Sequence, residues 1–122
     1  IGDDSLSVMR KWKVREVALC EGRHDVAGPN GVIEDFIYHN IENPNDFRQL
    51  QETANHWLDT MHDFESIHLY VTGLSQALTC FLARWTTRNL EMLSAGSVPI
   101  PLTVFHWNRE TESYDSHTFP LR

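Results

Sequence analysis

Three observations predict an α/β fold with a mainly parallel sheet. Short apolar runs rich in β-formers, Val14–Cys20, Ile67–Val71 and Leu102–Trp107, alternate with two longer segments whose apolar residues recur at helical spacing. The order strand, helix, strand, helix, strand is that of βαβ units, whose crossovers are right-handed in nearly all cases. The 122 residues fit one domain, long enough to bury a core. The expected architecture is a small Rossmann-like, three-layer domain over residues 14–122, after an N-terminal tail of residues 1–13. Its sheet should hold about four strands and be flanked by two main helices.

Val14–Cys20 is short, rich in Val, Ala and Leu, and ends at Gly22, which suits a strand buried on both faces. Residues 23–43 form a long excursion broken by Gly28-Pro29-Asn30-Gly31, with short apolar stretches at Val32-Ile33 and Phe36-Ile37-Tyr38 and room for one short strand or turn of helix. Loops longer than about 12 residues are uncommon in compact domains and often functional. Asn43-Pro44-Asn45-Asp46 reads as a helix start, with a cap residue, a proline suited to the first helical position and an acid near the positive end of the dipole. Phe47, Leu50, Ala54, Trp57, Leu58 and Met61 then form one apolar stripe, so a helix is expected over residues 45–62. Ile67–Val71 is a compact strand. Ser75 is placed to cap a second helix that carries Leu78, Phe81, Leu82 and Trp85 on one face and stops near Gly96. Pro99 and Pro101 exclude helix and lead into the strand Leu102–Trp107. Asn108–Thr111 forms a turn and Tyr114–Phe119 a last edge strand.

A formal charge of −7 excludes a broad electrostatic grip on duplex nucleic acid, which needs many Lys and Arg contacts to phosphate. It does not exclude a small anion held by a few cations, and Arg23, Arg84, Arg88 and Arg109 lie near the segments of interest. The two cysteines, Cys20 and Cys80, sit in apolar runs and behave as small hydrophobes rather than a disulfide framework. With no stretch approaching the roughly 20 apolar residues of a membrane span, and no secretory signal pattern, the expected compartment is a reducing cytoplasm.

A sheet of this kind gathers the carboxyl ends of its parallel strands along one edge, where ligands bind in open α/β folds. Three polar segments should meet there: Glu21-Gly22-Arg23-His24-Asp25, Thr72-Gly73-Leu74-Ser75 and His106-Trp107-Asn108-Arg109. Arg23, His24, Asp25, Thr72, Gly73, Ser75, His106 and Arg109 are the candidate ligand-binding residues. Gly73 lets the backbone approach a ligand, Thr72 and Ser75 add hydroxyls, and the amino end of the following helix suits an anion. A plainer reading has Ser75 only capping its helix and Gly73 only making the turn. Arg23-His24-Asp25 could bind an anion and supply an oriented base, or form a hydrogen-bonded cluster that anchors the excursion. Arg109 could equally belong to a surface turn. The seven histidines are scattered without HxxxH or CxxC spacing; His24, His106 and Asp25 could still meet, but no metal or other cofactor is expected. Trp57, Phe81 and Trp85 read as core or dimer contacts, and Trp107 as the better platform for stacking a ring.

Val17-Ala18-Leu19-Cys20-Glu21-Gly22-Arg23-His24-Asp25, Leu69-Tyr70-Val71-Thr72-Gly73-Leu74-Ser75-Gln76-Ala77-Leu78 and Leu102–Thr111 together resemble small Rossmann-like proteins encoded by bacteria, their phages and prophages, with a VTGL(S/T) strand-turn-helix motif. The likeness spans Val17 to Tyr114. Architecture and the Thr/Gly/Ser turn are also distantly similar to the Rossmann-like domains of CRISPR-associated proteins that sense or cleave cyclic oligonucleotides. The strand-end residues and the second likeness together lead to the expectation of a cytoplasmic binder of a small nucleotide or nucleotide-derived signal, one form of which is a phage protein that sequesters a host defence messenger, and the small size and aromatic helix faces to that of a homodimer. Two other classes remain open: a phosphodiesterase-like enzyme using His24 or His106, and a non-catalytic interaction protein whose tryptophans build contacts.

Overall fold

The computed structural model describes residues 12–22 and 24–119, so Arg23 and all but the last two residues of the expected tail lie outside the described residues. Strand β1 (Lys13–Cys20) is followed by a small hairpin, β2 (Ala27–Gly28) and β3 (Gly31–Val32), and by the short strand β4 (Phe36–Tyr38). Helix α1 (Phe47–Leu58), strand β5 (Glu65–Tyr70), helix α2 (Ser75–Ser94) and strands β6 (Leu102–Asn108) and β7 (Ser113–Phe119) complete the chain. The sheet runs β4-β1-β5-β6-β7. Its first four strands are parallel and β7 returns antiparallel to β6. The α/β class, the mostly parallel sheet and both helices are those the sequence predicts. The fifth strand, β4, comes from the excursion.

Alternation along the strands gives the sheet two unlike faces. On one, Val17, Leu19, Ile67, Leu69, Leu102 and Val104 are buried against Leu50, Ala54, Trp57 and Leu58 of α1 and Ala77, Cys80, Phe81 and Trp85 of α2. Each such side chain, fully buried, contributes roughly 1.5–3 kcal/mol. Both helices therefore lie on this face. They are clasped to each other where Arg84 Nε donates to Asn55 Oδ1 at 3.1 Å and Arg88 Nη2 meets Asp59 Oδ1 at 2.6 Å, so two of the cations near the site segments serve as struts. The far end of α1 is pinned by Asp35, whose carboxylate takes Arg15 Nε at 2.8 Å and Trp57 Nε1 at 3.2 Å.

Among the described residues no helix lies on the second face. Val26 and Ile33, flanking the β2–β3 hairpin, cover Ala18 and Tyr70 there, and this arm is the third layer. Of the strand Val14–Cys20, expected to be buried on both faces, Val17–Cys20 is so buried, whereas Val14 is exposed and Arg15 and Glu16 are half-buried. Over β6 and β7 the second-face residues Thr103, Phe105, Trp107, Tyr114, Ser116 and Thr118 are half-buried or exposed. That is unusual for parallel strands, which are normally covered on both sides.

Both helix starts differ from the sequence expectation. Asn43 Oδ1 takes the Asn45 N–H at 3.0 Å, which holds Pro44 and Asn45 in a turn, and α1 begins one step later with Asp46 accepting the Gln49 N–H at 3.2 Å. It ends at Leu58 rather than residue 62, where the Thr60 hydroxyl donates to the Trp57 carbonyl at 2.6 Å. Ser75 does not cap α2: the cap position is the extended Leu74, with no side-chain cap bond, and Ser75 is the first helical residue. Trp57, Phe81 and Trp85 are core, as read from their spacing. Cys20 and Cys80 are buried free thiols. No helix among the described residues is long and apolar enough to cross a membrane.

Candidate functional site

The carboxyl ends of β1 and β5 are knotted together by one side chain. Thr72 Oγ1 donates to the Cys20 carbonyl at 2.7 Å and accepts the Cys20 N–H at 2.9 Å, replacing the strand partner that β5 no longer provides. Its proton is committed to the backbone, so Thr72 cannot also donate to a ligand. Gly73 has φ +80 and lies against Cys20 so closely that a Cβ would sit 2.8 Å from the cysteine Cβ. Its freedom is used for the turn and for this contact, rather than for approach to a ligand. Burial raises the Cys20 thiol pKa, partly opposed by a hydrogen bond from the Leu74 backbone.

Ser75 stands exposed at the uncapped start of α2. His24 and Asp25 are exposed in the loop after β1, and Arg109 is exposed in the β6–β7 turn. His106 lies within β6, opposite Asp115 of β7, with its ring centroid 6.1 Å from that of His117. The structure therefore brings Thr72 and Gly73 together with Cys20, but does not bring His24 to His106. β5 separates their strands, a spacing of roughly 10 Å. Among the described residues no group of three or more His, Cys, Asp or Glu is placed to hold a metal ion. The histidine at this edge with a carboxylate partner is one the sequence reading passed over: His39 Nδ1 lies 3.4 Å from Glu21 Oε2, and both side chains are well exposed.

The more organised surface is the open face beside this edge. Tyr70 and Phe105, neighbours in register on β5 and β6, stack with centroids 4.6 Å apart and planes 7° apart. Tyr114 of β7 meets Tyr70 edge-on at 5.0 Å, and Trp107 meets Tyr114 at 5.1 Å and 70°. Trp107 is 52% exposed. These rings form an aromatic shelf that runs from under the β2–β3 arm to the end of β6. One row back, Glu16, His68, Thr103 and Thr118 align across β1, β5, β6 and β7. Glu16 Oε1 takes the Asn30 amide at 2.6 Å, while its Oε2 is buried beneath the hairpin without a partner.

His68, 5.3 Å from the Phe105 ring, carries a consequence for pH. Burial lowers its pKa below the ordinary 6.5, and the neighbouring Glu16 charge opposes this in part. Between its lowered value and about 6.5 the unfolded chain binds more protons at this site than the folded one, so its contribution to stability is lost as pH falls through that window. Denaturant midpoints measured from about pH 7 to pH 5 should fall more steeply for the wild type than for His68→Gln. Equal slopes would mean that His68 titrates alike in both states.

Sequence reading missed Tyr70, Phe105, Tyr114, His68 and Glu16 as a group. The signal was present in alternation: Ile67 and Leu69 against His68 and Tyr70, Leu102 and Val104 against Thr103, Phe105 and Trp107. A hollow of about 420 Å³ lies at the opposite edge, before β1, β5 and β6, lined in part by Trp12, Phe64, Arg88 and Ile100. Its arginine is already paired with Asp59.

Comparison with protein-family models, with curated proteins and with solved structures found no match to this chain.

Proposed function

We propose that this chain is a binding protein for a small nucleotide or nucleotide-derived signal, held where the aromatic shelf meets the carboxyl ends of the strands. One observation carries the reading: Trp107, half exposed and held edge-on by Tyr114, presents a fixed ring at the end of β6. Planar rings stack on such a platform without hydrogen-bond readout, at roughly 1–3 kcal/mol per base. Arg109 follows two residues later, in the turn, and offers the cation that a phosphate needs. The uncapped amino end of α2 adds N–H donors at the same edge of the sheet. Binding without turnover fits better than catalysis, because Thr72 is committed to the backbone and, among the described residues, no carboxylate is bonded to His24 or His106 in the way an oriented base requires. Sequestration of a host defence messenger is one use of such a binder.

The test is tryptophan fluorescence titration with AMP, ADP and a cyclic dinucleotide. Saturable quenching is expected for one of these probes, with the ligand recovered intact. Trp107→Ala should weaken it by about 5- to 150-fold, the range that loss of one stacked base implies. Arg109→Ala should weaken it more at low salt than at high salt. Unchanged affinity in both variants would overturn the assignment, and turnover of the probe would favour the enzyme reading.

A further inference from the structure

The two edges of the sheet are built differently. β4, at one edge, is only 3 residues long, and an edge that short offers little to pair with. β7, at the other, is 7 residues long and exposed at all but Tyr114. Its register with β6 runs unbroken from Leu102↔Phe119 to Asn108↔Ser113, so no bulge turns it away. It contains neither proline nor lysine. Long, regular and unguarded edges are templates for another strand, and proteins that must stay single protect them.

We propose that β7 pairs with β7 of a second copy of this chain, antiparallel about a two-fold axis at Ser116. The polar side chains of the strand fit this register. With Ser116 opposite the partner's Ser116, Asp115 falls opposite the partner's His117, and His117 opposite the partner's Asp115. Tyr114 falls opposite the partner's Thr118. Asp115 and His117 lie on one face, since within the monomer Asp115 is opposite His106 and His117 opposite Val104. Asn108 Nδ2 holds Asp115 Oδ2 at 3.0 Å, which fixes the carboxylate and leaves its second oxygen for the new partner. A carboxylate directly across an antiparallel pair from an imidazole accepts its ring N–H, and the two-fold axis makes the pair twice. Two five-stranded sheets would become one, with the two aromatic shelves on the same continuous face.

Sedimentation of the full chain, together with three charge variants, tests the pairing. The wild type is expected to be dimeric. Asp115→Lys, which removes the acceptor that faces the imidazole, and His117→Asp, which places two carboxylates face to face, should each weaken association by about tenfold or more. The combined exchange Asp115→His with His117→Asp restores the carboxylate–imidazole pairs and should recover the dimer. Ser116→Cys should form a disulfide-linked dimer under mild oxidation, because that position alone meets itself at the axis. A monomeric wild type would overturn the proposal. So would a dimer indifferent to both single charge variants, or one in which Ser116→Cys does not cross-link.

Discussion

Asn89→Ala is expected to destabilise the domain by about 2–4 kcal/mol, the largest loss from any single polar side chain. Asn89 is 0% exposed and the buried polar residue of the core. Its Oδ1 takes the Ile100 N–H at 2.8 Å and its amide donates to the Ile100 carbonyl at 3.3 Å, so one side chain completes a peptide unit as a neighbouring strand would. Trp85 Nε1 donates to the same carbonyl at 2.9 Å. Alanine leaves the Ile100 N–H buried with no acceptor and opens a gap beneath the entry to β6. An orphaned buried group costs about 1–3 kcal/mol, and the gap adds to it. For a domain of this size the melting temperature should fall by roughly 10–20 °C, read by calorimetry. A fall of under about 3 °C would mean that water fills the gap and bonds Ile100 in place of the amide.

Gly73→Ala should cost a similar amount, about 2–4 kcal/mol, from two separable causes. At φ +80 an L side chain is strained, at about 1 kcal/mol or more. A Cβ there would also sit 2.8 Å from Cys20 Cβ and 2.9 Å from Cys20 Sγ, closer than packed atoms come. Denaturant unfolding of Gly73→Ala in the wild type and in a Cys20→Ala background separates them. The second background removes the sulfur contact, so the penalty there should be smaller, leaving the strain and the Cβ contact. Equal penalties in both backgrounds would assign the whole cost to backbone conformation.

The helix-facing core was legible because it obeys simple periods. Leu50, Ala54, Trp57 and Leu58, and Ala77, Phe81 and Trp85, recur at helical spacing, and Val17, Leu19, Ile67, Leu69, Leu102 and Val104 alternate along strands. The existence and direction of the main elements follow from those periods. Their ends did not, because ends are decided by single competing hydrogen bonds. Asn43 with Asn45, Asp46 with Gln49, and Thr60 with Trp57 each move a boundary by a few residues. β4 was hidden by its three-residue length; it is a strand only because Phe36 and Tyr38 find Ala18 and Cys20 alongside.

The candidate site was legible in part for a related reason. That polar segments collect where the strands end follows from topology, and Trp107 stood out as the accessible ring. What each polar residue does there depends on partners distant in sequence. Thr72 reads as a ligand donor until Cys20 is seen to occupy its hydroxyl on both sides. Arg84 and Arg88 read as anion contacts until Asn55 and Asp59 engage them. The aromatic shelf required knowing that neither described helix covers the second face over β6 and β7, which periodicity within single segments cannot supply.

The Thr72 clasp joins residues 52 apart in sequence. Every parallel pairing in the sheet likewise closes a long stretch of chain, and the local pairings are the two antiparallel ones, β2 with β3 and β6 with β7. Loop closure must therefore precede reward along most of the sheet, which puts this small domain among slow folders despite its size. During synthesis β1 emerges with the apolar run Val17–Cys20 and must wait for β5 before its inner side is matched. The hairpin that forms most readily, β6 with β7, leaves the ribosome after β1, β4 and β5. The nascent chain thus exposes the apolar run of β1 before its partners exist and makes its quickest pairing after them, an order that favours assisted over spontaneous folding.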